Sequence, residues 1–575
     1  LLLADDGGLL STAQRSELIA WIRGIDVDDE DEDGDTTENR FTFSDPLHSS
    51  PVAITFGGTE AAPVIKLFLG SNDGGIRMIN AFNGEEEWVF FPQDMLRLQT
   101  DLRANRNGDH LYGVDGVPTQ WIFDFDQDGI IEQSDGDFVR IIVGQRRGGT
   151  NYYALDVTPS SVLTNPNATG GITPELMWKI EGGSADFPNL GQTWSRPTLA
   201  TIRVGNTTEG ETELQDVIAF GGGYDVSQDD GFFGPSSPGN AVYIVDALTG
   251  ELVFTVSADD PGVGDNLEYD EMTCPIPSGL AFFDSSGDGT KDRMYVGDLC
   301  GQVHRIDIRP NKDAGSDGIK ATAALFAQLS ELDPDPDLVA DHRKIFFRPS
   351  VVQVLNTEFT TTARYDLVAV VTGLRNNPLN VDVSDRVFAL RDFHVDVLTD
   401  TDEDGEPDAG TYETIQGPTD ASLGTLFDAT TLVDDPEDAD LTELQLSDGW
   451  YIDLLGTGEK ALAAPDIISG ALTFTTYLPE GVVDFSSCSL AEGSGLLYGV
   501  DVLTGGVVFN FDDADGTDEL TLSDKTFTLG GGIPSSAVPI FQEEGITFLI
   551  GGGGGASTFN PDLSLPKGRT YWYQQ

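Results

Sequence analysis

The chain of 575 residues carries 97 acidic against 31 basic side chains, a formal net charge of −66, with 67 glycines, 29 prolines and three cysteines. So acidic a surface repels a phosphate backbone, which excludes nucleic acid as a partner. No run approaches the roughly 18 apolar residues of a bilayer span, and three cysteines leave room for one bridge rather than a disulfide scaffold.

Part of the acidity reads as a solvated coat suited to salty or extracellular surroundings, and part as metal-binding loops. Leu1 opens neither with Met nor with a basic stretch ahead of an apolar run, so the chain reads as the C-terminal part of a longer precursor. Residues 1–40 are expected to form a short helix and an acidic linker, and 41–575 one β domain. The helix is placed over 11–24, with Ser11 as its cap and Leu18, Ile19 and Ile22 at helical spacing. After the acidic run 28–35, the stretch 41–54 is a candidate strand for closing a ring.

Repetition sets the architecture. A β-run ending in glycine, a polar turn and a second β-run recur at 67–88, at 141–144 with 152–157, and at 217–221 with 242–250. Further copies lie at 294–297 with 303–307, at 368–373 with 387–390, at 467–470 with 497–505, and at 548–551. Gly70, Gly144, Gly221, Gly297 and Gly373 are spaced 74, 77, 76 and 76 residues apart. Seven copies of a unit that buries its faces only against its neighbours predict an all-β, seven-bladed propeller. The long period predicts loop insertions on the rims, the longest at about 396–447.

Three loops of the form Dx[DSN]xDG carry the clearest chemistry. Calcium takes roughly six to eight oxygens, which alternate side chains of a tight loop can supply, with glycine at the sixth position and a carbonyl from the seventh. The sets are Asp284, Ser286, Asp288, Thr290 and Asp292; Asp124, Asp126, Asp128, Ile130 and Glu132, with Asp135 beyond; and Asp400, Asp402, Asp404, Glu406 and Asp408. Asp29–Asp35 is a weaker fourth, within a solvated acidic run, and any such loop also reads as a metal-free acidic turn. The 284–292 loop is expected to join two strands of one blade. That register brings Cys274 nearly opposite Cys300, either as a disulfide or as two buried thiols, with Cys488 unpaired.

Several motifs, in order along nearly the whole chain, resemble the PilC/PilY family of type IV pilus factors. They include Asp45-Pro-Leu-His-Ser-Ser-Pro-Val52, Gly70-Ser-Asn-Asp-Gly74, His110-Leu-Tyr-Gly-Val-Asp-Gly116, Leu190-Gly-Gln-Thr-Trp-Ser-Arg-Pro197, Tyr295-Val-Gly-Asp-Leu299 and Lys567-Gly-Arg569. The resemblance implies an exported protein with a C-terminal, modified quinoprotein-like propeller at the pilus tip or outer cell surface. It also implies association with minor pilins, promotion of pilus assembly, control of retraction and hence twitching motility, and adhesion to an unknown surface or host ligand. The family's calcium loop matches Asp284, Ser286, Asp288, Thr290 and Asp292. The chain departs from the family in its extreme acidity and contains no Arg-Gly-Asp tripeptide.

No enzyme is expected. A quinoprotein dehydrogenase is the rival from its similar repeats, but no two cysteines are adjacent, and Trp88 and Trp178 stand where blade-packing aromatics belong. His48, His110, His304, His342 and His394 show no metal spacing, and Ser49 and Ser195 lack a nucleophile elbow. A calcium-dependent glycan-binding propeller is the remaining alternative.

Overall fold

The computed structural model describes residues 10–559 apart from 41–42, 106–107, 109, 168, 207–209, 232, 260–264, 314–317, 333–335, 357, 419–423, 480–492, 512–518, 543–544 and 553–554. Its strands form seven sheets in chain order, the blades of a propeller. Blade 1 pairs Val52–Thr59, Ala62–Gly70, Ile76–Asn80 and Glu86–Phe90 antiparallel. Blade 2 is Thr119–Phe123, Phe138–Gly144, Asn151–Asp156 and Glu175–Glu181, and blade 3 is Thr198–Gly205, Thr212–Gly221, Ala241–Asp246 and Leu252–Ser257 with Asp265–Glu268 added in parallel.

Blade 4 is Ala281–Phe283, Arg293–Gly297, Gln302–Pro310 and Ile319–Gln328, and blade 5 is Ser350–Leu355, Arg364–Val371, Arg386–Asp392 and Gly449–Asp453. Blade 6 is built on Ala471–Leu478, Ser494–Asp501 and Thr526–Gly531, with Lys460–Ala461 and Asp466–Ile468 sharing the free edge of the first of these. Blade 7 is Val538–Gln542, Gly545–Gly552 and Gly555–Phe559.

Strand alternation explains how one sheet fills two seams, because successive side chains point to opposite faces. In Phe138–Gly144, Val139, Ile141 and Val143 pack with Phe56, Phe68 and Met78 of blade 1. Ile142, between them, packs with Phe220 and Tyr243 of blade 3. Such strands are buried on both sides and read as continuous apolar runs. Aromatics then lock blade to blade. Trp178 donates its Nε1–H to the Ala247 carbonyl at 3.1 Å and Trp450 donates to Val502 at 3.1 Å. A Cβ at Gly250 would lie 2.8 Å from the Trp178 ring, so only glycine, at φ +73°, lets the ring dock.

The repeat glycines of blades 1 to 4 and Gly551 of blade 7 lie at the ends of second strands, as expected, and Gly373 of blade 5 lies two residues past the end of Arg364–Val371. Gly470 does not. It sits at φ +88°, beside Ser469 at φ +51°, in the turn before Ala471–Leu478, so the match at 467–470 marks a hairpin rather than the strand end. The candidate closing strand is also corrected. Val52–Thr59 is the first strand of blade 1, paired with Ala62–Gly70 through a turn at 60–61. Closing that short loop costs far less chain entropy than reaching the last blade.

The helix forms over Thr12–Ile22, and Ser11 with Gln14 makes a reciprocal capping box. It buries Leu18 and Trp21, with Leu102 packed against them, while Ile19 is 41% exposed. The long insertion is more than a loop. Ile415–Gln416 pairs in parallel with Ile319–Gln328 of blade 4, Phe427–Asp428 with Gly449–Asp453 of blade 5, and a helix spans Asp438–Leu446. It thus straps the outer edges of two blades. The serines that raised the enzyme question are structural. Ser49 Oγ donates to Gly116 O at 2.8 Å and accepts from Gly70 N at 2.9 Å, while Ser195 Oγ donates to Ser278 O and accepts from Gly221 N, both at 2.8 Å.

Candidate functional site: three acidic loops on one face

Antiparallel succession sorts the connections by face. Those after first and third strands open on one side, here called upper, and those after second and fourth strands on the other. Residues 124–137 and 284–292 each link the first and second strands of a blade, in blades 2 and 4. Residues 400–408 follow the third strand of blade 5. All three predicted loops therefore lie on the upper face.

They share one backbone design. The first Asp accepts from the sixth-position glycine: Asp124 from Gly129 at 2.9 Å, Asp284 from Gly289 at 2.7 Å and Asp400 from Gly405 at 3.2 Å. The fifth-position Asp accepts from the seventh residue: Asp128 from Ile130 at 2.7 Å, Asp288 from Thr290 at 2.9 Å and Asp404 from Glu406 at 2.9 Å. Positions four and six are left-handed in each loop, with φ +59° and +80° at Gln127 and Gly129, +77° and +89° at Gly287 and Gly289, and +59° and +89° at Glu403 and Gly405. Left-handed Gln127 and Glu403 store local strain, which the carboxylate–amide bonds hold in place.

A further carboxylate closes each loop by accepting from the second residue. Asp292 takes Ser285 N at 2.7 Å and Asp408 takes Thr401 N at 2.9 Å. In the 124 loop Asp137 does so instead, accepting from Phe125 N at 2.8 Å and from Glu132 N at 3.0 Å. Asp137 is buried, and the sequence pattern missed it because it lies beyond the motif. Glu132 and Asp135 share a hydrogen bond at the surface, which raises the Glu132 carboxyl above its usual range.

The loops differ in how their charge is met. Asp124, Asp126 and Asp128 bring one oxygen each within 4.8 Å of one another, and so do Asp400, Asp402 and Asp404. Asp284, Asp288 and Asp292 form no such group. Asp124 Oδ1 and Asp400 Oδ1 are buried without a hydrogen-bond partner, although the Asp400 side chain is only 2% exposed. Partial desolvation and then the neighbouring carboxylates of Asp128 and Asp124 push Asp126 up. In the 284 loop the Asp288 charge is already answered, by hydrogen bonds from Thr290 and by Arg203 at 3.4 Å, and its pKa is lowered. Burial raises Asp292. Oxygen-only donors with an orphaned buried carboxylate oxygen suit a hard divalent cation, and they do so best at 124–137 and 400–408.

The loops also mark seams. The eighth residue of the two hairpin loops donates its N–H to the first strand of the preceding blade, Ile131 to Phe56 O at 3.1 Å and Lys291 to Thr201 O at 2.9 Å. The 400 loop lies on blade 4, where Ala323 N donates to Gly405 O at 2.8 Å, Thr322 Oγ1 to Asp400 at 3.2 Å and Lys320 meets Glu403 at 3.0 Å. A Cβ on Gly405 would sit 2.0 Å from Leu267 of blade 3.

Below this loop lies a buried ionic network that the sequence did not reveal. Arg293 bonds Asp307 at 2.8 Å and Asp366 at 2.7 Å; Arg305 bonds Asp307 at 2.6 Å and Asp392 at 2.8 Å. Both guanidiniums donate to the Asp396 carbonyl, which pins the start of the insertion. Burial works against the Asp392 charge, but His394, Arg305 and Tyr295 hold it well below the usual carboxylate range. Cys274 and Cys300 form a disulfide with Cα atoms 6.0 Å apart, whereas Cys488 lies outside the described residues. Asp29–Asp35 repeats the loop bonding, with Gly34 N on Asp29 at 2.8 Å and Asp35 N on Asp33 at 2.8 Å. It belongs to the N-terminal segment, tied by Asp28 to Arg103 of the helix Gln99–Ala104.

No family model matches the chain. A type IV pilus biogenesis factor PilY1 homologue of Xylella fastidiosa is 26% identical over 456 residues, 76% of this chain and 26% of that protein. PilY1 of Pseudomonas aeruginosa strain UCBPP-PA14 is 26% identical over 251 residues, 43% of this chain and 17% of that protein. The chain thus spans about a quarter of the length of the Xylella relative. The crystal structure of the P. aeruginosa PilY1 C-terminal domain superposes with a TM-score of 0.53 at 19% identity, covering 86% of this chain and 92% of that one.

Proposed function

As a β-propeller relative of the PilY1 type IV pilus biogenesis factors, the chain is, we propose, a secreted, pilus-associated surface module that binds calcium on its upper face and acts in pilus assembly without catalysis. The observation that carries the calcium reading is the shared loop design with buried, unpartnered oxygens on Asp124 and Asp400. Asp124, Asp126, Asp128 and the Ile130 carbonyl would hold one ion, with Asp137 bracing the loop. Asp400, Asp402, Asp404, Asp408 and the Glu406 carbonyl would hold a second, and Asp284, Ser286, Asp288, Thr290 and Asp292 a third. The ion would supply charge neutralisation, so that carboxylates crowded within 4.8 Å stop repelling one another.

The consequence is mechanical. Loops that rest on the preceding blade, as Ile131 and Lys291 do, would stiffen the seams and fix the surface that minor pilins grip. Control of retraction and adhesion at the pilus tip or outer cell surface would follow from that order. The similarity to type IV pilus biogenesis factors supports the pilus context, and the loop geometry supports the ion.

Calcium calorimetry on the chain, with thermal melts before and after chelation, tests the reading. Saturable binding of two or more ions with a raised Tm is expected, because a ligand at about 100 times its Kd adds roughly 2.7 kcal/mol. No heat at millimolar calcium, and an unchanged Tm, would reduce the loops to acidic turns.

A further inference from the structure

The lower face is built from opposite chemistry. There, side chains from blades that are not ring neighbours meet near the axis. Arg146 and Arg147 follow the second strand of blade 2, Arg375 follows the second strand of blade 5, and Trp194 lies between blades 2 and 3. The Arg146 guanidinium stacks 3.9 Å from the Trp194 ring and that of Arg147 lies 5.0 Å from it. Tyr112 and Tyr224 flank Arg147 at 5.7 and 5.9 Å.

Cationic charge here outruns its counter-ions. Arg146 pairs with Asp115 at 3.1 Å, and that fully buried carboxylate also meets His48 Nδ1 at 2.7 Å. Arg147 pairs with Asp229 at 3.1 Å. Arg375 has no ion pair or side-chain hydrogen bond among the described residues. Burial and the charge of Arg147 lower its pKa, against the pull of Asp115. Arg146 is likewise pushed down to about 10 by burial, with Arg375 and Arg147 adding repulsion against the pull of Asp115. Beside them is a cavity of about 70 Å³ that Arg146 alone of the three lines, with His48, Thr193, Trp194 and Arg196, large enough for a carboxylate group with water. In a chain with 31 basic residues against 97 acidic ones, three arginines crowded on two aspartates leave unspent positive charge.

We propose that this axial cluster, Arg146, Arg147 and Arg375 with Trp194 as a shelf, binds the carboxylate of a ligand. Guanidinium forks match carboxylates in two-point contacts, and a stacked arginine keeps its fork oriented. The carboxylate comes either from a small organic acid or from an acidic side chain or C-terminus of a protein chain docking on this face. The site stands apart from the upper-face loops and does not depend on calcium there.

Calorimetry on the full chain, freed of calcium on a chelating resin and held at fixed ionic strength, tests it with two probes: succinate and an amidated tetraglutamate peptide. Saturable binding is expected, weakened at least tenfold by Arg375→Gln and unchanged by Lys179→Gln on the outer strand of blade 2. Arg147→Gln gives the same readout should Arg375→Gln fail to fold. Peptide binding at least tenfold tighter than succinate assigns the carboxylate to a protein chain, and equal affinities assign it to a small acid. No saturation by either probe at 20 mM, on the order of the weakest useful affinities, or full affinity in Arg375→Gln, overturns the proposal.

Discussion

The upper and lower faces of the propeller solve the same problem with different means. On the upper face, loops 124–137, 284–292 and 400–408 are shaped by carboxylates accepting their own backbone amides, and two of them leave a buried oxygen unanswered. On the lower face, a covalent bond joins Cys274 to Cys300, guanidiniums stack on aromatics, and the carboxylates are the buried partners. A net charge of −66 is thus no uniform coat. Strand parity sorts it: an insertion after an odd strand of a blade surfaces above, one after an even strand below. One face gathers unanswered carboxylate oxygens in its loops, and the other is held by a disulfide and stacked arginines.

The largest effect that separates the faces is loss of the disulfide. Cys274 and Cys300 are fully buried and 26 residues apart, and bridging a loop of that length is worth about 3.5 kcal/mol. Cys274→Ser with Cys300→Ser is expected to lose about that much in chemical denaturation. Faster amide exchange should appear at Leu299 and Ile345, whose N–H groups bond Pro275 O and Asp298 O at 3.0 Å each. Chelation should instead speed exchange at Gly129 and Gly405. If reduction and chelation loosened the same amides, the faces would be one cooperative unit and the comparison would fail.

A smaller effect sharpens the lower face by pH. Asp385 is fully buried, accepts from Thr372 Oγ1 at 2.8 Å and leaves its other oxygen unpartnered. Burial pushes its carboxyl up to about 6, against the opposing pull of the Thr372 hydrogen bond, Lys460 and Arg343. A raised folded-state pKa means that the folded chain holds the proton longer than the unfolded one. Its contribution is therefore fully present below about pH 4 and lost as pH rises through about 6, a change on the order of 3 kcal/mol. Denaturation at pH 4.5, 5.5 and 7 should show that slope in the wild type and a flatter one in Asp385→Asn. Equal slopes would place the proton elsewhere.

What the sequence disclosed follows from the range of the interaction that encodes it. Glycine-ended apolar runs, the Ser11 cap and the Dx[DSN]xDG loops are written within a few residues, and all are present. Gly470 misled because a turn glycine and a strand-end glycine look alike in a short window. Asp137 escaped notice because it closes its loop from beyond the motif. The return of Ile415–Gln416 to blade 4, the Arg293–Asp366 and Arg305–Asp392 bonds and the axial arginines join residues scores to hundreds of positions apart. Such pairings have no local signature, since only the closed ring brings them together. The resemblance singled out the 284–292 loop, yet the other two hold the crowded carboxylates.

That inversion gives the smallest and most selective prediction. Calcium affinity rises with the number of charged ligands and the rigidity of the site. The 284 loop has Ser286 where the others have Asp126 and Asp402, and its Asp288 is engaged by Thr290 and Arg203 before any ion arrives. An incoming ion must displace the Arg203 contact there, whereas at 400–408 the looser Arg309 contact, 3.7 Å from Asp400, leaves Asp400 Oδ1 for the ion to satisfy as it relieves repulsion. The 284 loop should therefore bind about fivefold more weakly, about 1 kcal/mol. Calorimetry on the equivalent variants reads the difference directly. Asp404→Asn should remove a tight site and Asp288→Asn a weak one, while Arg203→Gln should narrow the gap by freeing Asp288. If Asp288→Asn instead abolished the tightest site, charge crowding would not rank these loops. The seam contact of Lys291 with Thr201 would then be the stronger determinant, because it holds the 284 loop rigid against blade 3.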